Sequence, residues 1–546
     1  MAIGNPVFFL KVRFNCVMFT PLFPKTLSGF SLLFVLTACH NVNNLSSDLS
    51  PLSPSIAPHN NPETPVKWEL KTVNQHGGFF CSNGEIAAGP ITQNMINKCL
   101  QWGGGSACFN NKWSETLFRQ AYGNNICPDG SHLNAITGYC MEANDSLGPF
   151  PQDLITACQQ EGGGNSCLSN RWDSHFLLSL IRQAGLINLP SRPPQFVLLA
   201  FDGSRSLEAW KKSRHFAKDK AAQNIPLRFT YFISAVYFVN TGDRQLYQPP
   251  GGHRVGHSAI GWGGTPPEVK QRLEQLNLAY QEGHEIASHA VGHFNGSRWT
   301  EADWTREFNY FDKFIFQSHQ INNLEGSLAF DKTAIQGFRA PELGQGPGLY
   351  QTLQKKGFRY DTSKVAQSNY WPQKQNGIWN FPLASLTTAK TRKNVLSMDY
   401  NFYYAHSQAK PNPANAQFYE EDTFQTYLNY FQANYTGNRA PIHIGHHFSA
   451  WNNGAYWNAM FRFAEAVCGQ PEVKCITYRE LADFMDLLTP EQIATYQKGD
   501  FPKWSANESV DTALISSDLS GLGVNNPQFS ADDFCGTVGV YHANRR

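Results

Sequence analysis

The stretch Phe196-Val197-Leu198-Leu199-Ala200-Phe201, closed by Asp202-Gly203, constrains this chain more than any other. Six apolar residues without alternation describe a strand covered on both faces, and strands of that kind belong to parallel sheets flanked by helices. A second apolar run covers Leu227 to Val239. Helical periodicity fills the intervals at Ser206 to Lys218, Pro267 to Glu282, Thr300 to Ser318 and Gly348 to Lys356. Strand alternating with helix predicts an α/β fold with a parallel sheet or barrel, in which the loops after the strand C-termini carry the chemistry.

Candidate chemical groups fall at those strand exits. Asp202 follows the first strand. Gly283-His284-Glu285-Ile286-Ala287-Ser288-His289-Ala290-Val291-Gly292-His293 sets two histidines four residues apart, a spacing that lets two imidazoles share a metal ion. Gly337-Phe338-Arg339-Ala340-Pro341-Glu342 follows, then Arg359-Tyr360-Asp361-Thr362-Ser363, Tyr370-Trp371-Pro372, and Ala440-Pro441-Ile442-His443-Ile444-Gly445-His446-His447-Phe448-Ser449-Ala450-Trp451. In a chain with 17 histidines one such pair is expected by accident, so the weight rests on the ordered series.

That series resembles the NodB-homology polysaccharide deacetylases, in a form close to their chitin-deacetylase-like members, over roughly residues 195 to 488. The resemblance implies an irregular parallel (β/α) barrel of the NodB type with its site at the C-terminal rim, and metal-assisted hydrolysis of N-acetyl groups on an envelope or environmental polysaccharide, chitin-like or peptidoglycan. It implies a divalent metal, zinc by preference, on His289 and His293. Asp202 takes the place of the general base, with Arg339 orienting it. Asp361 matches the acid near the catalytic histidine and arginine, the backbone N–H of Glu342 the oxyanion donor, and Trp371 the aromatic wall beneath the acetyl methyl. The general acid falls on His446 by the spacing Ile444-Gly445-His446, and on His447 by ungapped alignment from Ala440-Pro441. Both stand as candidates.

Two positions depart from the family pattern. Its first motif carries two adjacent acids, base and metal ligand, where this chain has Asp202 and Gly203; its third ends in Tyr, where this chain has Glu342. Asp202 as ligand, His253 or His257 of the insertion Pro249 to Ser258 as replacement, and a catalytically inactive barrel that binds glycan are the resulting alternatives.

The remaining segments carry other signals. Lys25, the apolar Leu27 to Leu36 and Leu36-Thr37-Ala38-Cys39 resemble a bacterial lipoprotein signal (residues 1–39), with Met18 as an alternative start. The expected product is an exported chain anchored through lipid on Cys39 in the bacterial outer membrane or periplasm. Residues 40–66 read as an Asn/Ser/Pro-rich tether. Within 67–189 a cysteine-rich motif occurs twice: Cys81 and Cys140, Cys99 and Cys158, Cys108 and Cys167, and Trp113 and Trp172 are each 59 positions apart. Paired helical units stapled by disulfides are expected there, with both tryptophans as core anchors. An adhesin built on this module is a third functional class. The barrel domain is placed at 190–490 and a C-terminal extension at 491–546.

An even complement of ten cysteines after Cys16 and Cys39 predicts disulfides in an exported chain. Short loops suggest Cys99–Cys108, Cys127–Cys140, Cys158–Cys167 and Cys468–Cys475, leaving Cys81 with Cys535, although spacing does not fix connectivity. Lys and Arg total 44 against 43 for Asp and Glu, which offers no field for nucleic acid. The 13% of aromatic residues suits sugar faces and a large core alike.

Overall fold

The computed structural model describes strand segments between Glu69 and Ser114, most of 131–183, and nearly all of 192–502. The expected signal, tether, Cys39 and Cys535 lie outside the described residues, as do Cys99, Cys108 and Cys127. The described residues belong to one compact unit.

The first apolar run forms strand β1, Gln195–Gly203, with every residue up to Asp202 buried. Parallel partners follow: β2 Phe229–Ile233, β3 Glu285–Ser288, β4 Gly337–Phe338, β5 Tyr360–Asp361, β6 Ile378–Asn380, β7 Ile442–His447 and β8 Val473–Cys475. Hydrogen bonding runs β6-β5-β4-β3-β2-β1-β7, with β8 paired to the start of β1 and the antiparallel strand Gln373–Gln375 outside β6. A small sheet of Val365–Gln367, Leu383–Thr387 and Asn394–Leu396 and a bridge from Met398 to Gly445 span the interval between β6 and β7. The result is the α/β fold expected, a curled and mostly parallel sheet with irregular closure. The second run is a strand only as far as Ile233; Ala235–Phe238 turns as a 3-10 helix, because it crosses the rim.

The predicted helices are present as α1 Leu207–Ala222, α2 Pro266–Gln281, α3 Glu301–Phe316 and α4 Leu349–Lys355. Later come α5 Asp399–Ser407, α6 Ala416–Tyr435, α7 Trp451–Val467 and α8 Tyr478–Leu487. Capping boxes Thr265/Glu268, Thr300/Asp303 and Thr477/Glu480 start α2, α3 and α8 by satisfying N–H groups that have no intrahelical partner. The sheet's outer face packs on these helices through Val197, Leu199, Phe201, Ile442 and Ile444; the inner face contributes Phe196, Leu198, Phe232 and Tyr360 to a second core, joined by Phe381 just after β6 and Tyr478 at the start of α8. Among the described residues no helix is long and apolar enough to cross a membrane.

The tandem motif folds differently from the helical pairs expected. Each copy is a four-stranded antiparallel sheet, and the registers repeat: Cys81 faces Ala88 as Cys140 faces Leu147, and Ala87 faces Trp113 as Ser146 faces Trp172. Among the described residues of the second copy, helices accompany the sheet: Gln152–Gln160 between its third and fourth strands and Ser174–Gln183 after the fourth. Trp113 and Trp172 are both buried, and Trp172 stacks on Phe150 at 4.0 Å. Disulfides Cys158–Cys167 and Cys468–Cys475 are formed.

The second copy is fastened to the barrel. Asn134 Nδ2 donates to Asp483 at 3.1 Å, the Ala135 N–H to Glu480 at 3.0 Å, and Lys474 Nζ to the Ala135 carbonyl at 2.9 Å. These contacts lie near β8 and α8, at the end of the barrel away from the rim that holds Asp202.

Candidate active site

Parallel register places the candidate groups on one rim. Asp202 is level with Phe232 on β2 and with His447 on β7, while Ser288 is level with Phe338 and Phe338 with Asp361. Asp202 and His447 therefore leave adjacent strands side by side.

Arg339 ties the base to its surroundings. Its Nη1 donates to Asp202 Oδ1 at 2.7 Å and its Nε to Thr362 Oγ1 at 2.7 Å, and its guanidinium lies 4.3 Å from the Phe232 ring. The pair is fully buried. Burial alone would raise the Asp202 pKa, but the Arg339 charge and hydrogen bond, with the His447 charge, outweigh it and hold the carboxyl below its ordinary value. Asp202 is thus an ionised acceptor.

The two histidines after β3 meet, with ring centroids 5.0 Å apart. His289 Nδ1 lies 2.8 Å from the Arg339 carbonyl, so that nitrogen carries the proton and Nε2 keeps its lone pair. Desolvation lowers both histidines, His289 to about 3, leaving neutral imidazoles. His293 has φ 58° and Ala290 φ 55°, left-handed conformations that cost non-glycine residues about 1 kcal/mol or more each. Glu307 of α3 compensates from below: its Oε1 accepts the N–H groups of Val291 (2.9 Å) and Gly292 (3.3 Å), and its Oε2 accepts Tyr247 Oη at 2.7 Å.

The distal cluster separates its histidines by strand alternation. His446 points outward with Ile442 and Ile444, and its Nε2 meets Tyr427 Oη of α6 at 3.0 Å. Burial lowers it to about 4. His447 points to the rim with its side chain one-quarter exposed. Asp399, the first residue of α5, accepts the His447 Nδ1–H at 2.7 Å and the His447 backbone N–H at 2.8 Å. Burial opposes the charged imidazolium, but the Asp399 charge and hydrogen bond outweigh it and raise the His447 pKa above its ordinary value. Of the two sequence candidates, His447 alone joins the cluster of Asp202 and His293.

Two expectations from the resemblance are corrected. Asp361 lies beside the Arg339 turn but makes no contact with the histidines: its carboxylate accepts Ser363 Oγ at 2.5 Å and Tyr350 Oη at 3.0 Å, and burial raises its pKa. It shapes the Thr362-Ser363 turn that receives Arg339 Nε and the Ala340 N–H. Trp371 is 2% exposed, donates Nε1 to the Asn438 carbonyl before β7 begins, and packs on Tyr496 at the other end of the barrel. Its place beside the site is taken by Tyr400 and Trp451, whose rings lie 6.5 and 5.4 Å from His447. Asp399, Tyr400 and Glu307 were missed in the sequence because each is a single residue outside any recurrent spacing, and Trp451, at the end of the distal histidine stretch, was given no role; the aromatic run Tyr400 to Tyr404 is a signal that could have found Tyr400.

A three-ligand metal centre of the expected kind does not fit the residues in place. Position 203 is glycine, Asp202 is committed to Arg339, and among the described residues no three His, Cys, Asp or Glu side chains are gathered as a ligand set. The insertion histidines do not repair it: His253 stacks on Phe294 at 3.9 Å, and His257 lies 5.4 Å from the same ring. Glu342 is exposed at φ 53°, with Oε2 accepting Asn295 Nδ2 at 3.1 Å.

No family model and no curated protein matches the sequence. Solved structures resemble it at the level of fold. A candidate polysaccharide deacetylase from Mycobacterium smegmatis aligns at 14% identity and TM-score 0.35 over 56% of this chain and 95% of its own. A family 4 carbohydrate esterase from Streptomyces lividans, in complex with acetate, gives 12%, 0.28, 51% and 90%. A peptidoglycan deacetylase from Bacillus subtilis gives 9%, 0.28, 56% and 95%.

Proposed function

We propose that the chain hydrolyses N-acetyl groups on a polysaccharide, chitin-like or peptidoglycan, by acid–base catalysis between Asp202 and His447. The observation that carries this reading is the pairing on one rim of a carboxylate held ionised by Arg339 and an imidazole held protonatable by Asp399. Environments that push two pKa values apart assign the base and the acid. Asp202 takes a proton from water as its oxygen attacks the acetyl carbon, and His447 Nε2 gives a proton to the amine nitrogen as the C–N bond breaks. Acetate and a free amine leave. The backbone N–H of Glu342 is assigned to the carbonyl oxygen as its charge develops. Tyr400, 45% exposed, and Trp451 offer ring faces to a pyranose beside the acid. No step is routed through a metal, because the ligand set expected for one is incomplete.

Acetate release from N-acetylglucosamine oligomers tests the reading, with D202N and H447Q each expected to abolish it. A glycan-binding protein without turnover is the second reading, favoured by Gly203; it requires oligomer binding with no acetate from the wild type. Export and anchoring through lipid on Cys39, in the bacterial outer membrane or periplasm, belong to the same proposal and are tested by labelling with a fatty acid in wild type and C39A.

A further inference from the structure

The large aromatic side chains exposed among the described residues are Tyr400, Tyr404 and Phe418, and all three belong to the stretch between β6 and β7. Exposed apolar surface gathered in one place marks a binding face. Asp399, whose carboxylate holds His447, is the first residue of α5, so the helix starts at the acid and runs away from it. Tyr400 and Tyr404 stand four residues apart on its solvent face, 45% and 61% exposed, while Phe402 and Tyr403 are buried. We propose that Tyr404 carries a further sugar subsite, so that a polysaccharide chain runs from His447 over Trp451 and Tyr400 and onward along α5. The ligand is then an extended chain of β-linked N-acetylhexosamine rather than one or two sugars.

The near end of this face is held in place by its surroundings. Trp451 lies 5.4 Å from His447 and 5.5 Å from Tyr400, and it stacks on Tyr403 with centroids 5.1 Å and planes 12° apart. Directly after it, Asn452, Asn453 and Gly454 are all left-handed, at φ 48°, 60° and 79°. Backbone of that kind persists only where neighbouring groups over-determine it. Asn452 is buried; its Oδ1 accepts the Asn412 N–H at 2.7 Å and its Nδ2 donates to Tyr456 Oη at 3.0 Å. The turn fixes Trp451 against Tyr403, and the ring beside the acid becomes continuous with the exposed row on α5.

Sugar is the occupant that this chemistry selects. The row extends a rim already read as handling a pyranose, and each tyrosine offers a ring face with a hydroxyl that stays in water. Gluco-configured sugars in β linkage carry equatorial substituents and so present flat C–H faces to such rings. Four residues of helix advance about 6 Å along the axis, which brings Tyr404 to the sugar beyond the one on Tyr400. The inference rests on the hydrolytic reading for its ligand class but is measured by binding, so the two fail separately.

The experiment is isothermal titration of the full chain with the dimer and the tetramer of N-acetylglucosamine, in an H447Q background that leaves the ligands intact. The tetramer is expected to bind roughly fivefold or more tighter than the dimer, the scale on which one contacting tyrosine acts. Adding Y404A is expected to remove that advantage, and Y404F, which keeps the ring, to retain it. Circular dichroism checks folding, and the same ratio is read from KM in the chain with His447 intact. Equal affinity for the two ligands, no binding of either, or a tetramer advantage that survives Y404A would each overturn the proposal, the last leaving the α5 face to a protein partner.

Discussion

Asp399 and His447 are joined twice: the Asp399 carboxylate accepts both the side-chain Nδ1–H and the backbone N–H of His447, at 2.7 and 2.8 Å. The ring can neither rotate nor change tautomer without breaking one of these bonds, so Nε2 stays aimed at the rim.

The first prediction concerns pH. Asp202 is held below its ordinary pKa of 3.8 and His447 above its ordinary 6.5, so kcat/KM should be bell-shaped, with an acid limb below 3.8 and an alkaline limb above 6.5. D399N should lower activity by roughly 100-fold or more and move the alkaline limb toward acid. Stability follows the same sign. A raised histidine pKa contributes fully below 6.5 and is lost as pH rises through the folded value, so the Tm difference between wild type and H447Q should shrink above it.

Glycine 445 gives a second test. A Cβ there would stand 3.0 Å from Arg339 Nη1 and 3.1 Å from Met398 Cε, closer than ordinary packing allows. G445A should displace the guanidinium from Asp202, costing about 1–3 kcal/mol of stability by overpacking and raising the acid limb of the pH profile. An unchanged profile would show that Arg339 does not set the Asp202 pKa.

Most of the barrel and half of the site could be read from the chain. Phe196 to Phe201 announces a buried strand because both faces are covered, and parallel register then brings strand-end residues together whatever their distance in sequence. Side-chain direction on short strands could not be read: His446 and His447 are adjacent, and only the pairing of β7 with β1 decides which faces the rim. Trp371 misled for a similar reason, since a Trp before proline looks the same at either end of a barrel. The tandem motif gave its period plainly but not its sheets: strands such as Trp113–Ser114 and Cys140–Glu142 are too short to show alternation, and the longer pair Glu69–Asn74 and Gly77–Ser82 carries no regular apolar alternation.

Glutamate 307 supports the His293 loop through two backbone N–H groups, and burial raises its pKa to about 7. A carboxyl with a raised folded pKa contributes stability below its unfolded value of 4.5 that is lost as pH rises through about 7. E307Q should remove that pH dependence from thermal unfolding and cost about 1–3 kcal/mol at acid pH by leaving partners unpaired.

The aromatic residues are separable by kinetics. Y400A should raise KM for N-acetylglucosamine oligomers with little change in Tm, because Tyr400 is exposed. W371A should leave KM alone and destabilise by about 3–5 kcal/mol, as a buried ring at the far end of the barrel does.

The most direct measurement of the central claim is acetate release by wild type, H446Q and H447Q assayed side by side on N-acetylglucosamine oligomers. The geometry predicts that wild type and H446Q release acetate and H447Q does not. Release by H447Q at the wild-type rate, or none by the wild type, would contradict it.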